Sequence, residues 1–411
     1  MNYELFVAKR IISGKEHKSS ISSPIIKIAI AAISLGVIIM LIAIATGEGL
    51  REKIRSKMSG FKGHIQITKY DANNSDVSVM PISKNQKFYP TFSNIKGIKN
   101  VQVYANQVGL IRTKTDFEGI VFKGVSTDYD WTFFKEYLIA GRIPDFNQKR
   151  TRDVLLSKTI VNRLQLQLND TINVTFFKNK ASKLPSNRKL VITGIYNTGF
   201  LEFDKNIMIG DIRQVQRLNR WNENEVGGFE VILENFDELE QKGTEIYKEI
   251  DATLDATTIA SNYPGLFEWI ELFDNNTWFI IIIMILVAGI NMITALLVLI
   301  LERIPMVGIL KAMGSSNWSI RKIFLYNASY LIFVGLFWGN LIGLLLLFLQ
   351  KYGGFITLDP ATYYVSEVPI SIDFLTVVFV NIGTLVLCFL MLIIPSVIIT
   401  KIQPSKSIRF A

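Results

Sequence analysis

The sequence has few of the residues that most often ligate metals or cross-link chains. Its 411 residues include one cysteine and two histidines. The single cysteine, Cys388, excludes a disulfide within the chain. His17 and His64 have no cysteine or carboxylate neighbours at metal-ligand spacing. We therefore interpret both histidines as surface residues and predict that the chain holds no metal.

The sequence also lacks the motifs of an enzyme that hydrolyses nucleotides. No G-x-x-x-x-G-K-[ST] occurs, and Gly14-Lys15 is followed by Glu16. No glycine-rich loop could therefore bind the phosphates of ATP and hold magnesium through a hydroxyl. No Ser/His/Asp or Cys/His set is recognisable for nucleophilic catalysis. We predict no hydrolytic activity, no catalytic residue and no cofactor in this chain.

Charged residues are rare in four long apolar runs. The chain is 49% hydrophobic with a mean hydropathy of +0.31, which is high for a soluble protein. Each run exceeds the roughly 18–20 residues that cross about 30 Å of hydrocarbon. The predicted transmembrane helices are residues 25–47, 277–301, 323–349 and 374–400. No small-residue cleavage site closes the first run, so we interpret it as a retained anchor.

The net charge of +9 is unevenly distributed. Lysines and arginines cluster in residues 1–27, in 302–322 and in the tail, 401–411, whereas the segment between the third and fourth runs, 350–373, is mainly acidic. Because positive residues stay in the cytoplasm, this pattern places both termini inside and residues 48–274 outside. The charge is thus a signal of topology and of anionic membrane lipid, not of nucleic acid.

Residues 48–274 have the pattern of a folded α+β domain. Short apolar or alternating segments predict strands, and helical periodicity predicts three helices, with Asp211 and Asp237 as N-caps of the second and third. The predicted strands are 64–68, 101–103, 119–125, 153–157, 171–177, 189–195 and 229–233, and the predicted helices are 158–166, 211–219 and 237–250. The fold class is therefore a membrane α-helical protein with four transmembrane helices and a large extracytoplasmic α+β domain inserted between helices 1 and 2.

Both ends of this domain resemble continuations of the membrane helices. Leu50, Ile54 and Met58 follow the first run at helical spacing, and Phe267, Ile270 and Phe273 precede the second. Rigid stalks that join domain to membrane, and ordinary amphipathic interface helices, both fit this pattern.

A short segment between the second and third runs, 302–314 (ERIPMVGILKAMG), predicts a helix of its own. Pro305 suits a first turn, and Gly314 suits a left-handed end. Helical spacing then places Met306, Ile309, Leu310 and Met313 on one apolar face, at the cytoplasmic side. Such a helix could lie on the lipid headgroups or insert into a groove on a partner subunit, and periodicity does not distinguish the two.

Several segments resemble the lipoprotein-releasing permeases of the macrolide-exporter-type, or type VII, ABC superfamily, and the resemblance covers essentially the whole chain. The most specific is Glu302-Arg303 followed by GILKAMG at 308–314 and IFL at 323–325. An Asp-Pro-x-x-Tyr-Tyr feature in 358–365 (LDPATYYV), followed by Val368-Pro369, is typical of the lipoprotein-releasing branch. Other matching segments are 6–10 (FVAKR), 47–51 (GEGLR), Gly141-Arg142 before 153–157 (DVLLS), and 403–405 (QPS).

The resemblance implies a permease subunit in the inner membrane of a Gram-negative-type bacterium. ATP and magnesium would bind a separate cytoplasmic ABC ATPase dimer. The other expected partners are a second permease chain, identical or paralogous, a periplasmic carrier, the lipoprotein substrate and membrane lipid. The residues expected to couple to the ATPase are Glu302, Arg303, Met306, Ile309, Leu310, Lys311, Met313 and Gly314.

The resemblance also implies a lipid cavity and a docking site for the carrier. Candidates for the cavity wall are Met40, Ile44, Phe273 and Phe279. Candidates for the carrier site lie in a basic segment between two predicted strands, 178–189 (KNKASKLPSNRK), and are Lys180, Lys183, Leu184, Pro185 and Arg188. An acidic or apolar carrier rim would fit there, although a solvated hairpin also fits.

Two alternative functions remain open at this point. One is an exporter of peptides or small amphiphiles that works with another adaptor, and the other is a non-transporting regulator of cell-wall hydrolases. The length of residues 48–274 counts against the second, because the corresponding domain of cell-division permeases is usually much shorter.

Overall fold

The computed structural model describes residues 3–13, 22–70, 80–147, 150–177 and 185–401. The chain forms two compact units. The helical unit contains Met1–Arg51, Ile270–Thr357 and Glu367–Ala411, and the sheet unit contains Glu52–Trp269 and Leu358–Ser366.

Fourteen α-helices occur within the described residues. They are α1 Tyr3–Ser13, α2 Ser22–Lys62, α3 Thr132–Tyr137, α4 Lys158–Arg163, α5 Leu201–Asp204, α6 Ile212–Asn219, α7 Leu239–Glu249, α8 Ile259–Asn262, α9 Pro264–Glu302, α10 Ile304–Ala312, α11 Asn317–Gly353, α12 Pro360–Tyr363, α13 Phe374–Ser396 and α14 Ile398–Lys401. The four apolar runs lie in helices long and apolar enough to cross a membrane, with spans Ile26–Lys62, Pro264–Glu302, Asn317–Gly353 and Phe374–Thr400.

The helical unit packs α11 closely against α2. A side chain on Gly339 would place its Cβ 2.7 Å from the Cβ of Val37 and 3.0 Å from the carbonyl oxygen of Ser34. Small residues let helix backbones approach each other, and a hydroxyl can then bond across the interface. The Ser34 hydroxyl does so, donating to the carbonyl of Gly335 at 2.9 Å.

A pair of asparagines joins α11 to α13. The side-chain amide of Asn340 donates to Asn381 at 2.6 Å, and that of Asn381 donates back to Asn340 at 2.9 Å. Each amide also donates to the carbonyl four residues earlier in its own helix, Leu336 and Val377 respectively. Their donors are thus satisfied within the bundle, as a low-dielectric surrounding requires.

The sheet unit contains twelve strands within the described residues. They are β1 Ile65–Lys69, β2 Ile82–Ser83, β3 Ile98–Arg112, β4 Phe117–Val125, β5 Leu138–Gly141, β6 Asp153–Ser157, β7 Thr171–Phe176, β8 Ser186–Tyr196, β9 Ile207–Asp211, β10 Glu225–Val226, β11 Gly228–Leu233 and β12 Leu254–Thr258. Ten of them form one sheet with the order β12-β1-β11-β3-β4-β9-β6-β8-β5, in which β7 also pairs with β3 and β8. The pairs β4–β9 and β6–β8 are parallel. The others in this sheet are antiparallel.

Every predicted strand coincides with an observed one, but several observed strands were not predicted. Strand β7, TINVTF, buries Ile172, Val174 and Phe176 in the strict alternation that makes a strand recognisable. By contrast β9, IMIGD, is buried at all five positions and has no alternation. A short, fully buried strand cannot be told from a buried helix by periodicity alone.

Two local predictions were wrong. Asp237 is not an N-cap, because the side chain of Asn235 accepts its amide hydrogen and a 3₁₀ turn, Phe236–Glu238, precedes α7. His64 is not a surface residue. It is 9% exposed, and its Nδ1 accepts a hydrogen bond from the amide of Leu233 at 2.7 Å. Burial, reinforced by the charge of Lys99, lowers the pKa of His64 to about 4. The N-cap prediction for Asp211 is confirmed.

Candidate functional site

A cavity of about 540 Å³ lies in the helical unit between α2, α9 and α13. Its wall is mainly apolar. The lining residues are Met40, Ile44, Gly47, Glu48 and Arg51 of α2, Asp274, Thr277, Trp278, Ile281 and Ile285 of α9, and Thr376, Phe379, Val380, Gly383 and Thr384 of α13. The cavity is therefore built by the first, second and fourth apolar helices.

Ionisable residues of the lining lie at one end of this cavity. Arg51 pairs with Glu48 one turn earlier on α2, and its Nη1 lies 3.2 Å from Oδ2 of Asp274 on α9. All three side chains are partly exposed. The ion pair between Arg51 and Asp274 thus joins two walls of the cavity at its polar end.

The cavity has the length of one lipid leaflet. Met40 and Arg51 are about eleven residues apart on α2, which is roughly 16 Å at 1.5 Å per residue. The distance along α9 from Asp274 to Ile285 is the same. Because the hydrocarbon core is about 30 Å thick, the site is suited to an amphiphile with its acyl chains along the apolar wall and its polar group beside Arg51.

The structure brings together only two of the four predicted cavity residues. Met40 and Ile44 line the wall. Among the described residues, Phe273 and Phe279 do not line this cavity. Phe279 is 63% exposed on the outside of α9.

The cavity face of α9 and all of α13 were not predicted from the sequence. On α9 the lining residues Asp274, Trp278, Ile281 and Ile285 follow helical spacing. That periodicity is a usable signal in an amphipathic helix. It is hidden here because the helix is apolar on every side through most of its length, so nothing in the sequence distinguishes the cavity face from the lipid face.

The segment after the second apolar helix forms the predicted short helix, α10. Pro305 lies in its first turn, and Gly314 adopts the left-handed conformation with φ +89°. The amide of Ser315 donates back to the carbonyl of Leu310 at 3.0 Å, which closes the helix. Glu302 ends α9, and Arg303 occupies the N-cap position of α10.

The apolar stripe predicted on α10 is only partly exposed. Leu310 is buried at 9% exposure, and Met306 packs against the buried core of the helical unit. Ile309 and Met313 instead face outward, 52% and 74% exposed. The four residues share one stripe of the helix, as their spacing requires, but packing against the core covers its Met306–Leu310 edge and leaves its Ile309–Met313 edge exposed.

The outward side of α10 forms an exposed apolar patch. Its members are Pro305, Ile309, Ala312 and Met313, and Trp318 at the start of α11 is exposed as well. Lys311 lies beside this patch and donates from Nζ to the carbonyl of Ile399 at 2.8 Å, which ties α10 to the end of α14. The patch is thus presented by a helix that is fixed on its inner side.

The basic segment predicted as a carrier site is only partly described. Lys180, Lys183 and Leu184 lie outside the described residues. Pro185 is exposed, and Arg188 lies on β8, which pairs with β7 as an antiparallel hairpin. Partial burial, with the nearby charges of Arg217 and Arg150, lowers the pKa of Arg188. Arg217 of α6 and Arg150 thus add positive charge close to this hairpin. The sequence alone did not indicate that proximity.

Two family models match the chain. The model of the MacB-like periplasmic core domain matches residues 28–246. The model of the FtsX-like permease C-terminal region matches residues 278–404.

Curated relatives match over nearly the full length. The lipoprotein-releasing system transmembrane protein LolC of Neisseria meningitidis serogroup B is 22% identical, over 99% of both chains. LolC of Buchnera aphidicola is 22% identical, over 93% of this chain and 92% of its own. LolE of Haemophilus influenzae is 19% identical, over 99% of both.

Solved structures match part of the chain. The extracellular domain of the ABC-type transporter YknZ from Gram-positive bacteria is 13% identical, with a TM-score of 0.33, over 47% of this chain and 99% of its own. The periplasmic region of MacB from Actinobacillus actinomycetemcomitans is 13% identical, with a TM-score of 0.35, over 50% of this chain and 92% of its own.

Proposed function

Because the chain belongs to the LolC/LolE-type permeases of the type VII ABC transporters, we propose that it is the membrane subunit of an ATP-driven machine that releases lipoproteins. It would extract them from the outer leaflet of the inner membrane and pass them to a periplasmic carrier. The observation that carries this proposal is the cavity, with its apolar wall one leaflet long and its charged end at Arg51.

The energetics explain why such a machine is needed. Three acyl chains contain roughly 45 methylenes, and exposing each to water costs about 0.8 kcal/mol. Spontaneous release is therefore negligible, and the chains must pass from one apolar environment to another. A cavity beside the bilayer provides the first of these environments, and the carrier provides the second.

The proposed topology follows from helix length and charge. Helix α2 has 41 residues, so it is about 60 Å long at 1.5 Å per residue, twice the thickness of the hydrocarbon core. The part that follows the first apolar run, residues 48–62, would be a stalk outside the membrane, and the start of α9 would be another. Both termini would lie in the cytoplasm, and the sheet unit would lie in the periplasm, inserted between the first and second membrane helices.

Energy would enter at α10. The exposed patch around Ile309 and Met313 is suited to a groove on a cytoplasmic ABC ATPase, because apolar anchors on a rigid helix are typical of helix-in-groove recognition. ATP and magnesium would be bound by that subunit. Two permease chains, identical or paralogous, would share one ATPase dimer, and the β7–β8 hairpin with Arg188 would contact the carrier.

Depletion of the chain tests the proposed function. In cells depleted of it, and of any paralogue, outer-membrane lipoproteins should accumulate in the inner membrane, as membrane fractionation would measure. Ile44→Trp should fail to restore sorting, because the indole projects into the cavity and narrows it beside the acyl-chain wall. Leu345→Trp is the matched control, since Leu345 is 57% exposed and does not line the cavity. Normal sorting after depletion would refute the proposal and leave export of another amphiphile as the alternative.

A further inference from the structure

The segment Leu358–Ser366, called the clasp below, belongs to the sheet unit although it lies between α11 and α13 of the helical unit. The chain therefore passes between the two units at four places, after Arg51, Trp269, Thr357 and Ser366. Two of these crossings continue the first and second membrane helices, and the other two flank the clasp.

The clasp has a defined internal structure. Asp359 caps α12, since its Oδ1 accepts the amide hydrogen of Ala361 at 3.0 Å. The amide of Leu358 donates to the carbonyl of Ser366 at 2.9 Å and closes the segment at its base. Tyr364 adopts the left-handed conformation with φ +61°, which costs roughly 1–2 kcal/mol for a residue with a Cβ. Contacts outside the segment must offset that cost.

Tyr364 makes these contacts with the rest of the sheet unit. Its ring stacks on Phe200 with 5.0 Å between the ring centroids, and Trp269 meets it edge to face at 5.7 Å. Its carbonyl accepts a hydrogen bond from Nζ of Lys57 at 3.0 Å. Phe200 and Lys57 are 1% and 3% exposed, so Tyr364, itself half-buried, is held by buried partners.

Two partners of Tyr364 lie on helices that continue from membrane helices. Lys57 is on α2, which continues from the first membrane helix, and Trp269 is on α9, which leads into the second. Phe200 continues inward through Phe203 to Phe61 of α2, with centroid distances of 5.1 and 4.9 Å. One tyrosine, covalently connected to the third and fourth membrane helices, thus contacts the extensions of the first and second.

We propose that the clasp is a further mechanical connection, which joins α11 and α13 to the sheet unit, with Tyr364 as its positioning residue. The inference rests on the proposed function. Movement of α11 and α13 that follows ATP hydrolysis reaches the sheet unit through the clasp, in step with α2 and α9. Without the anchor at Tyr364, the third and fourth helices move without the sheet unit, and hydrolysis is uncoupled from the work done outside the membrane.

The test uses the full complex, purified from its native membrane with its ATPase. Hydrogen exchange of the sheet unit is compared between the nucleotide-free and vanadate-trapped states. In the wild type, trapping should change exchange in the sheet unit. With Tyr364→Ala this change should fall at least about five-fold while the ATPase rate stays within about two-fold. Tyr363→Ala is the matched control, because Tyr363 has no such ring contact within the described part of the chain.

Lys57→Met is a second, milder variant that keeps the bulk of the side chain and removes its hydrogen bond to Tyr364, together with the ammonium over the ring of Tyr137. If Tyr364→Ala speeds hydrogen exchange throughout β3 and β4, the sheet unit has lost its fold. The nucleotide response of Lys57→Met is then the deciding measurement. An unchanged nucleotide response in the deciding variant overturns the proposal, as does a wild type without any response. Lipoprotein release by the wild type is measured separately, so a failure of the proposed function is seen there and not in the exchange data.

Discussion

Lys123→Met is expected to lower the opening free energy of the sheet by about 3–5 kcal/mol, because it leaves a buried carboxylate without its cation. Lys123 and Glu230 are 3% and 0% exposed. Nζ of Lys123 lies 2.7 Å from Oε1 and 2.8 Å from Oε2 of Glu230. The lysine also donates to the carbonyl of Phe61 on α2, so the pair fastens the end of that helix to the sheet.

The remaining partners of the pair explain why one deletion is costly. Gln102 donates to Oε2 of Glu230 at 2.9 Å, and the ring of Tyr129 has its centroid 5.1 Å from Nζ of Lys123. These groups stabilise the pair but do not neutralise the carboxylate. Burial lowers the pKa of Lys123, while the charge of Glu230 opposes that shift.

Hydrogen exchange in the full-length chain measures the effect. Amides of β4 should exchange about 10²- to 4 × 10³-fold faster in Lys123→Met, which is the expected free energy at about 1.4 kcal/mol per decade. The control is the double variant Lys123→Met with Glu230→Leu, which removes both charges and should recover much of the loss. Exchange within ten-fold of the wild type in the single variant would contradict the account of the pair.

Replacing Ile309 and Met313 together with aspartate is expected to weaken binding of the ATPase on the order of 1000-fold. Both side chains are exposed, so the chain itself should fold normally. If they fill a groove on the ATPase, each buried apolar anchor contributes about 2 kcal/mol or more to binding. A carboxylate in that groove adds a desolvation cost.

Co-purification of the ATPase with the permease, and the ATPase rate of the complex, provide the measurement. The matched control replaces both residues with leucine, which preserves the apolar surface and should leave association near the wild-type level. If the aspartate variant binds the ATPase as tightly as the leucine variant does, α10 is not the contact and the patch lies on lipid headgroups instead.

The membrane helices could be predicted from the sequence because their signal is local. An uninterrupted apolar run as long as the hydrocarbon is thick has few other interpretations. Helix α10 was predictable for a similar reason, since Pro305 and Gly314 mark its two ends by backbone chemistry alone. Which side of that helix points outward could not be predicted, because packing against the core decides that Leu310 is buried and Ile309 is exposed.

The cavity, the clasp and the buried ion pair depend on contacts between distant residues. Trp278 and Phe379 line the same cavity from different helices, yet each looks in the sequence like any other apolar residue of a membrane helix. Tyr364 meets Phe200 across more than 160 positions of the chain. Lys123 and Glu230 are ordinary charged residues by local pattern. Only the strand order, in which β3 lies between β4 and β11, brings them together.

Photocrosslinking from the cavity tests the central claim most directly. A photoreactive amino acid replaces Ile44 in the wall of the cavity, and in a second chain it replaces Leu345, which is exposed on α11. The complex is irradiated in nucleotide-free membranes that contain an epitope-tagged lipoprotein. The account predicts a crosslink to the lipoprotein from position 44, lost after ATP and carrier are added, and none from position 345. Equal crosslinking from both positions, or none from position 44, would contradict it.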